Sequence, residues 1–189
     1  MPEIYVIGGC NGSGKTTFAL NLFHTLANIE FINADIIAAR LNPDNPDAVA
    51  IPASRIMLQN LKNSARQKRS FAFETTLAAR TFAPFLRRCQ AEGYRVNLIY
   101  VWLNSVELAI ARVALRVASG GHDIPEDVIR RRYHRGRKNF LELYCKLVDS
   151  WQVFDNSFDN QLIAYSQNKD RAITIIKDDI WEQINYGSN

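Results

Sequence analysis

The run Gly8-Gly9-Cys10-Asn11-Gly12-Ser13-Gly14-Lys15-Thr16-Thr17 constrains the fold more than any other feature of the chain. Gly9, Gly14, Lys15 and Thr16 satisfy G-x-x-x-x-G-K-[ST], the pattern of a phosphate-cradling P-loop. Context agrees with pattern. An apolar run at 4–7 precedes the glycines, and residues 15–27 have helical composition with Phe18, Leu22 and Leu26 at helical spacing. In such a strand, loop and helix the glycines turn backbone N–H groups inward, and the helix N-terminus adds partial positive charge at the same point. Gly9, Cys10, Asn11, Gly12, Ser13, Gly14, Lys15, Thr16 and Thr17 are therefore expected to hold the triphosphate of ATP. Lys15 would neutralise the β and γ phosphates, and the Thr16 hydroxyl would ligate magnesium.

The rest of the chain repeats the alternation. Strands are expected at 29–33, 71–73, 95–103 and 152–154, and helices at 47–68, 81–92, 105–118 and 125–148, with Ser105 as an N-cap and Pro125 at a first helical position. Residues 161–165 and 172–176 read as a small hairpin around Asn168-Lys169-Asp170, followed by a last short helix. Alternating strands and helices imply a parallel sheet covered on both faces. The expectation is a single α/β domain over 1–189, a three-layer P-loop NTPase or kinase fold. Its mostly parallel sheet has the order 2-3-1-4-5, with a helical lid at 112–139 and a C-terminal hairpin.

Composition excludes several classes. With 47% hydrophobic and 22% charged residues the chain is neither disordered nor a stapled scaffold. Cys10, Cys89 and Cys145 show no paired short spacing, which argues against a disulfide framework or zinc site. The start lacks a basic n-region, and apolar runs fall well short of the roughly 18 residues of a membrane span. A cytoplasmic location without membrane contact is expected.

A P-loop does not separate a kinase from an ATP-driven switch. The second carboxylate for magnesium often ends a hydrophobic strand, but the 95–103 strand runs into Asn104. Asp35, after the second strand, lies on the rim that faces the ligand crevice in a doubly wound sheet. It suits a general base for an acceptor hydroxyl, a water-mediated magnesium partner, or the N-cap of a helix at 36–41. Glu74 and Thr76 follow the third strand on the same rim. They suit acceptor hydroxyls or, for Glu74, capping of the next helix.

The segment 112–138 concentrates Arg112, Arg116, Arg130, Arg131, Arg132, Arg135, Arg137 and Lys138. Phosphoryl transfer spreads charge over the equatorial oxygens, so catalysis needs cations there. Arg112 and Arg116 share one helical face, Arg132, Arg135 and Asn139 another, and 119–125 with its Gly120-Gly121 joins them. This suggests a helical-hairpin lid whose arginines close over the triphosphate. Arg130 and Arg137 are expected to be surface bystanders, and His122 either a phosphate or base contact or a turn cap. Nucleic acid is disfavoured as a partner, because Phe140, Leu141, Tyr144, Leu147 and Val148 read as a core face rather than as stacking platforms.

These segments resemble the zeta toxin family of P-loop kinases, especially its zeta-like branch. The resemblance rests on residues 9–17, Asn33-Ala34-Asp35, Phe73-Glu74-Thr75-Thr76, the run from Arg116 through Gly120-Gly121-His122-Asp123-Ile124-Pro125 to Arg135 and Asn139, and Asp155-Asn156-Ser157. It implies an ATP- and Mg2+-dependent kinase. Zeta toxins phosphorylate a hydroxyl of UDP-N-acetylglucosamine, and their antitoxins block the ATP site. Carried over, Lys15 binds phosphate, Asp35 is the general base, Glu74 and Thr76 face the acceptor, and Arg116 and Arg132 are lid cations. Zeta toxins proper place an arginine two positions after the threonine matching Thr76, where this chain has Ala78, with Arg80 as the nearest substitute. The alternatives are a non-toxic kinase of a nucleoside or other metabolite, and an ATP-dependent switch with a macromolecular partner.

Overall fold

The computed structural model describes residues 1–23, 29–169 and 172–187. In chain order the elements are β1 (Glu3–Gly8), α1 (Lys15–Phe23), β2 (Glu30–Ile32), α2 (Ala34–Leu41), a 3-10 turn (Pro46–Val49) and α3 (Ala50–Arg66). Then come β3 (Phe71–Thr75), α4 (Phe82–Ala91), β4 (Arg95–Trp102), α5 (Val106–Ala118), α6 (Glu126–Asn139), a π-helical turn (Phe140–Tyr144) and α7 (Cys145–Leu147). The chain closes with β5 (Ser150–Asp155), β6 (Gln161–Ser166), β7 (Thr174–Ile175) and α8 (Asp178–Tyr186). Leu26, Ala27 and Asp170, expected in the first helix and the hairpin turn, lie outside the described residues.

The seven strands form one sheet in the order β2-β3-β1-β4-β5-β6-β7. The first five are parallel, as expected from the 2-3-1-4-5 order, and β6 and β7 continue antiparallel. The expected hairpin is thus an extension of the main sheet. Its second strand shortens to Thr174–Ile175. β4 is apolar and buried from Leu98 to Trp102 because both of its faces are covered there, as parallel strands require. On one face Ile4, Val6, Phe73, Leu98 and Tyr100 pack with Met57 and Leu61 of α3 and Leu86 of α4. On the other, Ile7, Ala72, Ile99 and Val101 meet Ala19 and Phe23 of α1.

Two expectations about the arginine segment are corrected. Pro125 is the residue before α6 rather than its first turn, with extended ψ of 139°. The helix expected at 125–148 also changes form after Asn139, where a π-helical turn interrupts it. The wider turn accompanies a change of duty. Gly136 and Asn139 of α6 face the turn after β3, whereas Phe140 and Tyr144 are fully buried in the main core. Phe140 stacks on Tyr100 with centroids 4.4 Å apart, and the Tyr144 hydroxyl donates to Ala79 O at 2.8 Å.

Candidate active site

The glycine loop leaves β1 and enters α1 as its pattern dictates. Gly12 and Gly14 have φ of +76° and +85°, which side-chain-bearing residues rarely adopt. Space is also short: a Cβ on Gly12 would lie 2.7 Å from Ala109 O of α5, and one on Gly14 would lie 2.6 Å from Asn156 Nδ2. Asn156 donates from that nitrogen to Ser13 O at 2.9 Å, so the loop after β5 braces the glycine loop from outside. Lys15 is buried, and its Nζ donates to Cys10 O at 2.8 Å, across the mouth of the loop. Burial pushes the Cys10 thiol up to about 11, so it is no nucleophile near neutral pH. Thr17 is exposed on the first turn of α1.

Sequence reasoning placed Glu74 on the crevice rim but did not foresee its contact with Thr16. β3 is the neighbour of β1, with Ile7 opposite Glu74, so the last residues of β3 sit beside the glycine loop. The Thr16 hydroxyl donates to Glu74 Oε2 at 2.9 Å. A strand-end carboxylate beside the Thr16 hydroxyl is therefore found on β3 instead of β4, and the 2-3-1 order itself was the clue. Thr76 lies on the turn that follows. Leu77 there has φ of +55° and is fully buried, with its amide donating to the Thr75 hydroxyl at 3.1 Å.

Asp35 is not a cap. Asn33, 2% exposed, caps α2, its Oδ1 accepting from the amides of Asp35 at 2.6 Å and Ile36 at 3.0 Å. That leaves the Asp35 carboxylate exposed on the first turn of α2. Arg132 reaches the same space from α6, with Nη1 donating to Asn11 Oδ1 of the glycine loop at 3.3 Å. Burial and the neighbouring Arg131 lower the Arg132 pKa, and the charge of Asp35 partly opposes them. A half-buried guanidinium thus reaches the phosphate loop within the electrostatic influence of the Asp35 carboxylate.

The other arginines divide differently from expectation. Arg116 Nη2 donates to the carbonyl of His122 at 2.7 Å, so this guanidinium shapes the lid loop, and no contact to the glycine loop is seen among the described residues. Arg112 lies closer to that loop: its Cβ packs near Gly12 and its Nη2 donates to Ser157 O at 3.0 Å. Arg80 cannot replace the absent arginine at Ala78 in this arrangement, because it bonds Asn139 Oδ1 at 2.9 Å and Glu142 at 3.3 Å. Arg130 is the surface ion-pair residue expected, bonded to Glu107 and Glu126. Arg137, also expected on the surface, is 9% exposed and bonds Gln183 O of α8. His122 is neither a turn cap nor a glycine-loop contact; its Nδ1 pairs with Asp47 Oδ1.

The second half of the arginine segment is anchored to the rest of the fold. The Tyr133 hydroxyl donates to Leu103 O at 2.7 Å, Asn139 Nδ2 donates to Leu77 O at 2.8 Å, and Gly136 lies against Thr76 O. These contacts fasten the second half of α6 to the sheet rim. Only the loop between α5 and α6 and its flanking turns are placed to act as a lid.

Among the described residues no three His, Cys, Asp or Glu side chains gather as a metal cluster, and no helix is long and apolar enough to cross a membrane. The sequence profile of the zeta toxin family matches residues 1–172. An uncharacterized protein of Haemophilus influenzae is 37% identical over 125 residues, covering 66% of this chain and 88% of that one. The structure of the AvrRxo1-ORF1:AvrRxo1-ORF2 complex with sulphate ions superposes on the whole chain with a TM-score of 0.77 at 13% identity. This chain spans 65% of the matched AvrRxo1 chain. A structure from the PezAT toxin–antitoxin system of Streptococcus pneumoniae matches all of this chain and 80% of its own, with a TM-score of 0.68 at 17% identity. At such identities the likeness is one of fold.

Proposed function

Because the chain belongs to the zeta toxin family of P-loop kinases, we propose that it transfers the γ-phosphoryl group of ATP to a hydroxyl of a small acceptor. One observation carries the reading: Arg132 reaches the phosphate loop at Asn11 from the helix opposite and is close enough to Asp35 to feel its charge. A cation where the transferred group develops charge, with a carboxylate free to accept a proton, is what hydroxyl phosphorylation requires.

The glycine-loop amides and Lys15 bind and orient the triphosphate, while Arg132 covers its far side. Asp35, left free because Asn33 does the capping, takes the proton of the acceptor hydroxyl. Magnesium fits the residues present, since the Thr16 hydroxyl and the Glu74 carboxylate offer hard oxygen donors side by side. Thr16 and Glu74 would hold the ion, which would supply charge neutralisation at the phosphates. Glu74 is then primarily a magnesium partner, leaving Thr76 on the acceptor side. A nucleotide sugar such as UDP-N-acetylglucosamine is the acceptor to try first, followed by nucleosides and other metabolites. An antitoxin-like protein partner belongs to the same proposal, supported by a fold neighbour drawn from a toxin–antitoxin system.

The test is ADP release with ATP and Mg2+ across nucleotide sugars, nucleosides and dinucleotides, beside Asp35→Asn and Lys15→Ala. Asp35→Asn should keep ATP affinity and lose transfer by roughly a hundredfold or more. Lys15→Ala should lose tight ATP binding while remaining folded. Equal loss of binding and transfer in Asp35→Asn would make Asp35 a metal or structural residue.

A further inference from the structure

The lid loop touches the opposite wall of the cleft, and that contact has no part in the chemistry above. His122 lies in the loop between α5 and α6, and its Nδ1 meets Asp47 Oδ1 of the 3-10 turn, 75 residues away in sequence. Both partners are prepared locally. The Arg116 guanidinium donates to His122 O while the Arg116 carbonyl accepts from Gly121 N at 2.9 Å, fixing the loop; a Cβ on Gly121 would lie 2.5 Å from Arg116 Cγ. On the other side Asn45 Oδ1 caps the 3-10 turn by accepting from Ala48 N at 3.3 Å, and Asn42 Oδ1 accepts from Asn45 N at 3.0 Å.

The contact completes a ring around the cleft. From the glycine loop the path runs through Asn11 to Arg132 on α6, back along α6 to the lid loop, across His122 to Asp47, and along the 3-10 turn to α2 and Asp35. We propose that His122 and Asp47 are a positioning pair, a clasp that holds the lid loop against the α2–α3 wall and slows escape of nucleotide from the site. Its strength suits a clasp that must also release. The side chains are 41% and 53% exposed, so water screens the contact and keeps it weak. The Arg116 and Asn45 contacts keep the two sides shaped for re-engagement after opening.

The clasp itself is a claim about the lid, and only its effect on nucleotide rests on the kinase reading. The experiment therefore has two arms: hydrogen exchange across 119–125 in the protein without nucleotide, and release of a fluorescent ATP analogue. Both are applied to wild type, His122→Ala, Asp47→Ala and the double variant. Each single variant should raise lid exchange and speed analogue release by roughly twofold to fivefold, the range for an exposed pair. The double variant should match the singles, because one interaction is lost in all three. Melting temperatures should stay together, separating loss of a clasp from loss of fold. Unchanged lid exchange in the singles, or effects that simply add in the double, would overturn the clasp. If wild type binds no ATP analogue while lid exchange responds as expected, the kinase reading fails and the clasp stands.

Discussion

Gly136→Ala sets two opposing effects against each other at the seam between α6 and the β3 turn. Gly136 is well inside α6, where alanine would ordinarily stabilise the helix by roughly 0.8–1.0 kcal/mol. The added Cβ would lie 2.5 Å from Thr76 O, however, against roughly 3.5 Å for comfortable contact. The obstacle is backbone and cannot rotate away. α6 cannot simply lift either, because Asn139 bonds Leu77 O further along the helix and Tyr133 bonds Leu103 O before it. Forcing a methyl group into such a seam costs about 1–3 kcal/mol. Subtracting the helix gain leaves a net loss of about 1 kcal/mol near the middle of the range, or roughly 2–4 °C in melting temperature for a domain this size. Urea unfolding followed by circular dichroism measures the first quantity and a thermal melt the second. The turn that must give way carries Thr76 and follows Glu74, so acceptor-stimulated ADP release should fall as well. If the variant is instead more stable by the full helix increment, α6 is not seated on the turn as described, and the fixed half-helix assigned here is wrong.

Glu74→Gln keeps an acceptor for the Thr16 hydroxyl but removes the charge, so the Mg2+ concentration needed for activity should rise roughly tenfold to a hundredfold. An unchanged Mg2+ requirement with a raised acceptor KM would return Glu74 to the acceptor side. Asn33→Ala removes the cap of α2 and should cost about 1 kcal/mol in urea unfolding, with activity reduced as the first turn carrying Asp35 frays. Stability should also fall above neutral pH in a defined window. Burial raises Tyr94 and Tyr144 to about 12, and burial with the neighbouring Glu3 raises Tyr5 to about 12. Unfolded tyrosines ionise near pH ~10, so the folded state keeps protons that the unfolded state gives up. The tyrosine contribution is then complete below about pH 10 and declines as pH rises from there through the folded values. A flat urea midpoint across that window would refute this.

The sheet order was legible because the glycine loop fixes one strand, helix and crevice, and right-handed crossovers leave few ways to arrange the rest. The place of Asp35 on the crevice rim was legible for the same reason, because it follows the end of β2. What escaped was contact between distant segments. Nothing local to Glu74 announces a hydrogen bond to Thr16, 58 residues away, and it follows only once β3 is known to lie beside β1. Arg116 and Arg132 look alike in sequence, yet one is spent on the carbonyl of His122 and the other reaches Asn11. Arg137 was misjudged because α8, whose Gln183 carbonyl it bonds, comes only after β5, β6 and β7 in the chain. The π-helical turn was hidden because Phe140, Leu141, Tyr144, Leu147 and Val148 satisfy ordinary helical spacing.

At its two ends the sheet finishes in very short strands, three residues in β2 and two in β7. An open edge of that length offers few free amide and carbonyl groups in register, so it is a poor template for adding a strand from another chain. The long inner strands β1 and β4 are paired on both sides and offer none. A protein that recognises this domain is therefore steered away from sheet extension and toward its helices and loops, and crowding in a cell should leave the molecule resistant to edge-to-edge aggregation.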